Sequence, residues 1–315
     1  MSGDLVSLAE QYAALRDGAG AYRLPRDVVS VRGPDALLYL QGQCSQDISA
    51  QEDGESAEAL LLNPQGKIDA YLRVSRLAPG EYLLDADAGT GQAIVARLER
   101  FKLRVDVTIE PVEWSCIAVR GRAAEKVVRE GATLVLPVSW PGRSGVDLLG
   151  PTEVASLASW VDEEAVECGD EAWDAVRIEA GVPVAGREIT EGTIAAEVGL
   201  VERTVSFTKG CFTGQELVAR LDARGTKVAR RLVGVEIAGA TPEDLPLTGA
   251  SVLAENGPES GLLTSVAWSP GLESAVALTL LHRRVEPPSA VEVTWETEAG
   301  SRRSAAEARP LPLVA

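Results

Sequence analysis

Three strand-like segments joined by very short turns constrain the fold of this chain most strongly. They are ALLLN (59–63), KIDAYLRVSRL (67–77) and EYLLDAD (81–87), with PQG and APG between them. Turns this short connect neighbouring antiparallel strands, whereas a parallel pair needs a long crossover connection. The segments therefore predict an antiparallel meander.

Helical segments lie among further strand-like segments without a regular alternation. Ile94, Leu98 and Phe101 recur at helical spacing, and the strand-like segments VDVTIEP and EWSCIAVRG follow them directly. A doubly wound parallel sheet requires strands and helices to alternate regularly. The observed order instead favours an α+β class with antiparallel sheets.

The last quarter of the chain consists of short strand-like segments separated by turn residues. The domain boundary is predicted near residues 228–232, where this pattern begins. Short strands at this spacing are typical of a small barrel or sandwich. The segments are LVGVEI, ASVLA, GLLTSVAWS, SAVALTLL and AVEVTW.

The acidic balance of the chain limits its partners. With 47 acidic and 30 basic residues the formal charge is -17, which disfavours sequence-independent binding to nucleic acid. No apolar run approaches the ~18 residues of a membrane span, and the first residues lack the pattern of a secretory signal. We therefore expect a cytoplasmic protein that does not cross a membrane.

The cysteines and histidine do not have the spacing of a metal site. The cysteines are widely separated and never form CxxC, and the chain has a single histidine, His282. A structural zinc site needs four such ligands at close spacing. We predict reduced thiols and no metal site. The cysteines are Cys44, Cys116, Cys168 and Cys211.

The stretch KGCFTGQELVAR (209–220) places a cysteine before a predicted helix. Thr213 and Glu216 have the spacing of a capping box, so the helix is predicted to begin there. Cys211 would lie outside the positive helix terminus and two residues from Lys209, and both effects favour the thiolate. The alternative is a small buried cysteine beside glycines that merely permit a sharp turn.

Basic residues are concentrated between positions 220 and 231, where they face a single acid, Asp222. This local positive charge in an acidic chain predicts that an anion binds nearby, and a solvated helix face is the alternative. The basic residues are Arg220, Arg224, Lys227, Arg230 and Arg231.

The cysteine stretch resembles the signature K-G-C-[aromatic]-x-G-Q-E-x-x-[A/S]-R of the YgfZ family of folate-binding proteins, and it fills every signature position. The resemblance extends to VRGPDALLYLQGQCSQDI, LLNPQGKIDAYLRV and GVPVAGREITEGTIAAEVGL, and the C-terminal part is similar in character only. This family is similar in turn to the aminomethyltransferase (T-protein) of the glycine cleavage system.

The resemblance implies an aminomethyltransferase-like fold around a central site for tetrahydrofolate or a one-carbon derivative. It implies an α+β region at 1–228, with lobes of roughly 1–50 plus 115–228 and of 51–114, and a β-barrel at 229–315. It also implies a role in assembling or repairing iron-sulfur clusters, with iron-sulfur client or scaffold proteins as partners.

The resemblance and the local charge together give the predicted site residues. Glu197 matches the carboxylate with which aminomethyltransferases hold the pterin ring. Arg231 belongs to the basic stretch, and the glutamate tail of the folate is the anion predicted for it because carboxylates suit arginine forks. Cys211 and Lys209 are the predicted catalytic pair, with the Cys211 thiol at the rim of the folate channel. The predicted supporting residues are Gly210, Gly214, Gln215, Glu216 and Arg220.

One position departs from the transferase pattern. Matching the glycine and isoleucine before the transferase's catalytic aspartate to Gly66 and Ile68 puts Ala70 at that position and Asp69 one residue earlier. Such a shift turns a strand side chain to the opposite face. We therefore expect cluster maintenance rather than aminomethyl transfer. The alternatives are a folate-dependent one-carbon transferase and a thiol-based redox protein that needs no folate.

Overall fold

The computed structural model describes residues 6–154, 157–223, 227–255, 257–297 and 300–314. Within these ranges the strands form two five-stranded sheets and one closed six-stranded barrel. Neighbouring strands are antiparallel, apart from one short parallel pair in the first sheet. The predicted α+β class with antiparallel sheets and a C-terminal β-barrel is confirmed.

Helices and strands follow one another in the irregular order that the sequence predicts. The helices are α1 (Leu8–Asp17), α2 (Ala36–Gln43), α3 (Gly91–Phe101), α4 (Leu157–Trp160), α5 (Asp170–Ala180), α6 (Val201–Thr204) and α7 (Gln215–Ala223), with a 3-10 helix at Ala124–Val127. The strands are β1 (Gly20–Leu24), β2 (Arg26–Arg32), β3 (Ser56–Leu62), β4 (Ile68–Ala78), β5 (Glu81–Asp87), β6 (Thr108–Val112), β7 (Trp114–Arg120), β8 (Leu134–Trp140), β9 (Arg143–Pro151), β10 (Val166–Glu167), β11 (Arg230–Ile237), β12 (Ser251–Ala254), β13 (Glu259–Ser269), β14 (Ser274–His282), β15 (Ser289–Thr297) and β16 (Gly300–Arg309).

The first lobe is built on the sheet β10-β1-β7-β9-β8. Helix α1 begins at a capping box, in which the Ser7 hydroxyl accepts from the Glu10 N–H and the Glu10 carboxylate accepts from the Ser7 N–H. Leu15 of α1 and Trp173 of α5 share one buried apolar cluster with Leu278 of the barrel. The first lobe and the barrel therefore have a common core.

The second lobe is built on the sheet β3-β4-β5-β2-β6. Strands β3, β4 and β5 are consecutive neighbours, so the predicted meander is confirmed. Leu40 of α2 and Leu98 of α3 lie in the apolar cluster that includes Leu72 and Val74 of β4. These two helices therefore cover one face of the sheet.

The C-terminal barrel has the strand order β11-β14-β13-β12-β15-β16. It closes because β11 pairs with β14 on one side and with β16 on the other. Val235, Val252, Leu263 and Val293 are buried in its apolar interior. Inward and outward positions alternate along a strand, and this accounts for the alternating burial along β13.

The sheets group the first residues differently from the expected lobes. Strand β2 pairs with β5 and β6, so β2 and the following α2 belong to the second lobe. The expected grouping of residues 1–50 with 115–228 does not match this arrangement. Only Pro25 separates β1 from β2, so no long loop in the sequence marks the change of sheet. The barrel begins at Arg230, close to the predicted boundary.

The segment between α5 and α7 connects the lobes to the barrel. It starts at Gly181, which ends α5 in the left-handed conformation with a φ of 74°. The Ile68 N–H of the second lobe donates to the Thr193 carbonyl at 2.9 Å, and the Leu232 N–H of the barrel donates to the Glu197 carbonyl at 2.7 Å. These backbone bonds fix the segment against both neighbours.

Candidate functional site

A cavity of about 880 Å³ opens between the first lobe, the connecting segment and the barrel. We call it the central cavity. Trp140 comes from β8, Glu197 from the connecting segment and Arg231 from β11. Its size is within the range of small-molecule sites, ~300–1,000 Å³. Further lining residues are Gly181, Pro183, Glu202, Arg203, Leu232, Pro287 and Leu311.

A smaller cavity of about 80 Å³ lies between the two lobes. We call it the inner cavity. Trp140 and Pro183 line both cavities, so the two adjoin each other. The inner cavity differs in character because most of its lining side chains are charged or aromatic. These are Arg26, Glu58, Tyr71, Arg73, Asp87, Arg120, Trp140, Asp147, Trp173 and Arg177.

Buried ion pairs connect the lobes across the inner cavity. Arg73 of β4 donates to Asp85 at 2.9 Å and to Asp147 of β9 at 2.9 Å. Arg120 lies 2.8 Å from the other Asp147 oxygen. Burial alone would raise the pKa of Asp147, but the guanidinium groups of Arg120 and Arg73 outweigh it and hold the pKa below its ordinary value. Asp147 is therefore a charged bridge between two arginines.

Arg120 is held between two tryptophans at this cavity. Its guanidinium carbon lies 4.7 Å from the Trp140 ring centroid and 5.2 Å from that of Trp173. Trp173 in turn stacks on Tyr22 with a centroid separation of 4.4 Å. The Arg120 Nε is buried and has no hydrogen-bond partner among the described residues. Arg120 therefore stands at the wall of the inner cavity in a fixed position, with one buried N–H unused.

Glu197 and Arg231, both predicted to contact a folate, line the same cavity. The half-buried Glu197 carboxylate accepts one long bond of 3.3 Å from the Ile194 N–H. Arg231 is exposed at the start of β11, whereas Arg224 of the same basic stretch lies outside the described residues. The carboxylate thus keeps acceptor capacity at the cavity wall, with a cation on the barrel side.

Cys211 is exposed, whereas the other three cysteines are buried. The expectation of free thiols fits this arrangement. Burial raises the pKa of Cys44 to about 12 and that of Cys168 to about 12, so neither is a ready thiolate near neutral pH. Cys211 does not belong to the residues that line the central or inner cavity. The walls of these two cavities therefore bring Glu197 and Arg231 together without Cys211.

Lys209 is fixed by the end of helix α2. Its Nζ donates to the carbonyls of Gln41, Cys44 and Gln46 at 2.7, 2.7 and 2.8 Å. Burial lowers the pKa of Lys209, although Cys44 and Asp47 act in the opposite direction. An ammonium group has three donors, and all three are used here. The geometry thus gives Lys209 an anchoring position and leaves it no N–H for the Cys211 thiolate.

Helix α7 begins at Gln215, later than the sequence predicts. The predicted capping box is wrong, because Gly214 precedes the helix and the Glu216 carboxylate accepts from Arg220 at 2.6 Å on the surface. The Phe212 N–H instead donates to the Gln215 side chain at 3.1 Å. Gly210 lies in the exposed part of the same loop.

Gly214 brings the cysteine loop against the turn between β3 and β4. Its φ is 81°, and an added Cβ would lie 2.5 Å from the Asn63 carbonyl oxygen. Gly66 of the same turn approaches α7 equally closely, since its Cβ would lie 2.6 Å from the Leu217 Cβ. Two segments that the sequence singled out separately are thus in contact.

No free carboxylate reaches the cavities from positions 69 and 70. Position 70 is an alanine, and the carboxylate of Asp69 is paired. Ala70 is buried in the apolar cluster that α2 and α3 form with the second sheet. Asp69 lies where the register of β3 and β4 shifts, and its carboxylate accepts from Arg97 at 3.0 Å. The bulge places Asp69 against α3 rather than in the inner cavity.

The sequence did not predict the inner cavity. Its arginines come from four separate elements, so no continuous motif marks them. One signal was present, because Arg73 lies between the buried apolar residues Leu72 and Val74 of a strand. A charged residue in such a position requires a buried partner.

No described helix is both long and apolar enough to cross a bilayer. Over the same described ranges, no group of three or more histidine, cysteine or acidic side chains is arranged to hold a metal ion.

Comparison with known protein families identifies both ends of the chain. Residues 8–138 match the GCVT N-terminal domain, and residues 230–314 match the glycine cleavage T-protein C-terminal barrel domain. The chain belongs to the T-protein family. The barrel match begins at the first residue of β11, so it agrees with the observed architecture.

Individual relatives of the T-protein family cover nearly the whole chain. An aminomethyltransferase of Exiguobacterium sibiricum is 28% identical over 96% of this chain and 88% of the relative. One of Rubrobacter xylanophilus is 28% identical over 88% of this chain and 79% of the relative. The crystal structure of the glycine cleavage system aminomethyltransferase T from Bartonella henselae has a TM-score of 0.80 at 22% identity, covering 98% of this chain and 90% of that one. The aminomethyltransferase-like fold is confirmed.

Proposed function

We propose that this chain binds tetrahydrofolate, or a one-carbon derivative of it, in the central cavity. The observation that carries this proposal is the half-buried Glu197 carboxylate on the wall of a cavity of about 880 Å³. A carboxylate with one weak partner suits an aminopyrimidine, which offers two parallel N–H donors. The relatives named aminomethyltransferase support the same class of ligand.

The residues present fit a bound pterin in two further respects. Trp140 offers an aromatic surface that is shared by the central and inner cavities. Arg120 lines the inner cavity and is held between Trp140 and Trp173, so a ligand that reaches this cavity meets a fixed guanidinium group. A reduced folate would supply the one-carbon chemistry, while this chain holds and orients the ring.

The binding proposal is tested by titrating tetrahydrofolate against the tryptophan fluorescence of the purified chain. We expect a saturable change, because Trp140 lines the cavity. Glu197→Gln should weaken binding at least about tenfold, the usual cost of removing a charged partner of a buried hydrogen bond. Glu191→Gln, an exposed acid in the same segment, is the matched control. Absence of a saturable change would overturn the proposal.

One-carbon transfer is the first activity to assay, because the names of the relatives support it. The geometry argues for weak turnover, since Ala70 is buried in an apolar core and Asp69 is paired with Arg97. The assay is formation of methylene-tetrahydrofolate from aminomethyl donors, with the Exiguobacterium sibiricum relative alongside. Turnover close to that of the relative would favour a transferase.

Assistance in iron-sulfur cluster assembly or repair is the second candidate. One observation favours it, because Cys211 is an exposed thiol on a loop that Lys209 and Gly214 fix in place. Since Cys211 lies outside both cavities, we propose that it meets an iron-sulfur client or scaffold protein at the surface. The YgfZ-like character of the loop supports the same reading.

The second candidate is tested in cells that lack the chain, by scoring the activity of cluster-dependent enzymes. Wild-type protein should restore activity, Cys211→Ala should not, and Cys168→Ala is the control because that thiol is buried. Full rescue by Cys211→Ala removes the cysteine from the mechanism. Rescue that depends on Cys211 without any folate binding would indicate the thiol-based redox alternative.

A further inference from the structure

The fully buried carboxylate of Glu179 lies in the last turn of α5, one residue before the wall of the central cavity. A negative charge is unfavourable there, because the carbonyl end of a helix is itself negative and burial removes water. Arg143 of β9 donates to the Glu179 Oε2 at 3.1 Å, and Arg16 of α1 lies 3.5 Å from the same oxygen. The acid therefore does not stabilise α5 by itself, and its role lies in the segments that it connects.

The other carboxylate oxygen of Glu179 joins the barrel to the first lobe. Oε1 accepts from the Tyr12 hydroxyl of α1 at 2.7 Å and from the Ser269 hydroxyl of β13 at 2.6 Å. Burial and the Glu179 charge raise the pKa of Tyr12, so its hydroxyl stays protonated and donates. We call this group the Glu179 clamp, and it consists of Tyr12, Arg16, Arg143, Glu179 and Ser269.

Two segments of the central cavity wall continue directly into the clamp. The turn between β8 and β9 lines the cavity through Pro141 and Gly142, and the next residue is Arg143. The end of α5 lines the cavity through Ala180, and the residue before it is Glu179. The 3.1 Å bond from Arg143 to Glu179 therefore holds these two wall segments at a fixed separation.

The segment that follows β16 is the third part of the wall held by the clamp. The Leu313 N–H donates to the Glu179 backbone carbonyl at 2.7 Å, and Leu311 lines the cavity two residues earlier. Leu311 also packs on Gly181, where an added Cβ would lie 2.7 Å from the Leu311 Cδ1. Glu179 thus fixes this segment through its backbone, and the β8–β9 turn and the barrel through its side chain.

We propose that the Glu179 clamp sets the width of the central cavity and thereby controls how tightly the cavity holds its ligand. This inference rests on the proposed folate binding and adds the residues that act on it from behind the wall. None of the five clamp residues lines the cavity, so Glu179 is a positioning residue and not a ligand contact. Binding sites depend on such support, because a wall displaced by about 1 Å no longer fits its ligand.

Loosening the clamp should weaken binding without removing a ligand contact. Tyr12→Phe and Ser269→Ala each remove one hydroxyl donor from Glu179 and leave the Arg143 bond in place. The barrel or α1 can then shift relative to the β8–β9 turn, so only a fraction of the molecules has the width that fits the ligand. We expect roughly fivefold weaker binding in each variant, the factor that corresponds to one hydrogen bond. Most of the change should be faster dissociation.

The test measures the affinity of the folded full chain for tetrahydrofolate by isothermal titration calorimetry, and the dissociation rate by stopped-flow fluorescence. Tyr39→Phe is the matched control, because Tyr39 donates its buried hydroxyl to the Leu98 carbonyl at 2.5 Å in the second lobe and does not line the central cavity. This variant removes the same chemical group and should keep the wild-type affinity. Chemical denaturation of all three variants measures the stability that each one loses.

Weaker binding in either clamp variant, with wild-type affinity in the control, would support the clamp. A purely structural role would lower the stability of all three variants and leave their affinity unchanged. Wild-type affinity in both clamp variants, or equal weakening in Tyr39→Phe, would overturn this inference alone. Absence of binding by the wild-type chain would overturn the proposed function and this inference with it.

Discussion

The inner cavity and the cysteine loop are organised in opposite ways. The loop Lys209–Gly214 is one continuous stretch, held by backbone carbonyls and a close glycine contact, and it exposes its cysteine. The inner cavity is assembled from side chains of β2, β4, β7, β9 and α5, and its charges are buried in pairs. The continuous motif therefore determines the backbone conformation of the loop, whereas the inner cavity depends on residues that are far apart in the sequence.

This difference predicts where a single change is most costly. In the cavity each charge is compensated by partners from another element, so removing one leaves the others buried and unpaired. In the loop the cost comes from unsatisfied carbonyls or from steric contact with the neighbouring turn.

Asp147→Ala should cost about 3–5 kcal/mol of unfolding free energy, because Arg73 and Arg120 would both lose their shared buried carboxylate. Chemical denaturation followed by tryptophan fluorescence measures it. The control is Glu167→Ala, which removes an acid from an exposed pair with Arg23 and should cost less than about 1 kcal/mol. Equal losses in the two variants would contradict a special cost for buried charge in the cavity.

Lys209→Met should cost about 1.5–3 kcal/mol, because three carbonyls at the end of α2 lose a charged donor. Lys126→Met is the control, since Lys126 is exposed, and its cost should stay within about 0.5 kcal/mol. If Lys209 instead served only to activate Cys211, stability would be unchanged while the alkylation rate of Cys211 fell. That result would indicate that Lys209 makes the loop a reactive site and does not stabilise the fold.

Gly214→Ala should cost about 1–3 kcal/mol, because alanine is strained at a φ of 81° and its Cβ would meet the Asn63 carbonyl. Gly210→Ala is the matched control within the same motif, since an added Cβ there has no neighbour within 4 Å. Thermal unfolding of the two variants measures the difference. A similar loss at both positions would show that the loop is sensitive throughout, rather than at its contact with the turn.

The same contrast explains how much the sequence could predict. The α+β class and the meander followed from local patterns of turns and apolar residues, which act over a few positions. The predicted helix start at Thr213 was wrong, because the contact of Gly214 with Asn63 depends on a neighbour about 150 residues away in the chain. The assignment of β2 to the second lobe likewise depends on its pairing with β5 and β6. Because only Pro25 lies between β1 and β2, the sequence does not show where the chain passes from one sheet to the other.

The candidate site was predictable only where a resemblance named its residues. Glu197 and Arg231 do line one cavity, but their roles as folate contacts remain predictions. Arg73 and Arg120 carry no motif, since their partners Asp85 and Asp147 lie on other strands. Buried charge pairs of this kind are set by tertiary packing, and a single sequence records only that a charged residue interrupts an apolar strand.

The smallest predicted effect is the pH dependence of the stability that Asp147 provides. The pKa of Asp147 is lowered in the folded chain from an ordinary value of 3.8, so the folded state favours the charged carboxylate. Its contribution is complete above the ordinary value and is lost as the pH falls through the lower folded value. The difference in unfolding free energy between wild type and Asp147→Ala should therefore shrink below pH 3.8, whereas that for Glu167→Ala stays small throughout. A difference that grows on acidification would mean that the arginines do not stabilise the charged form of Asp147.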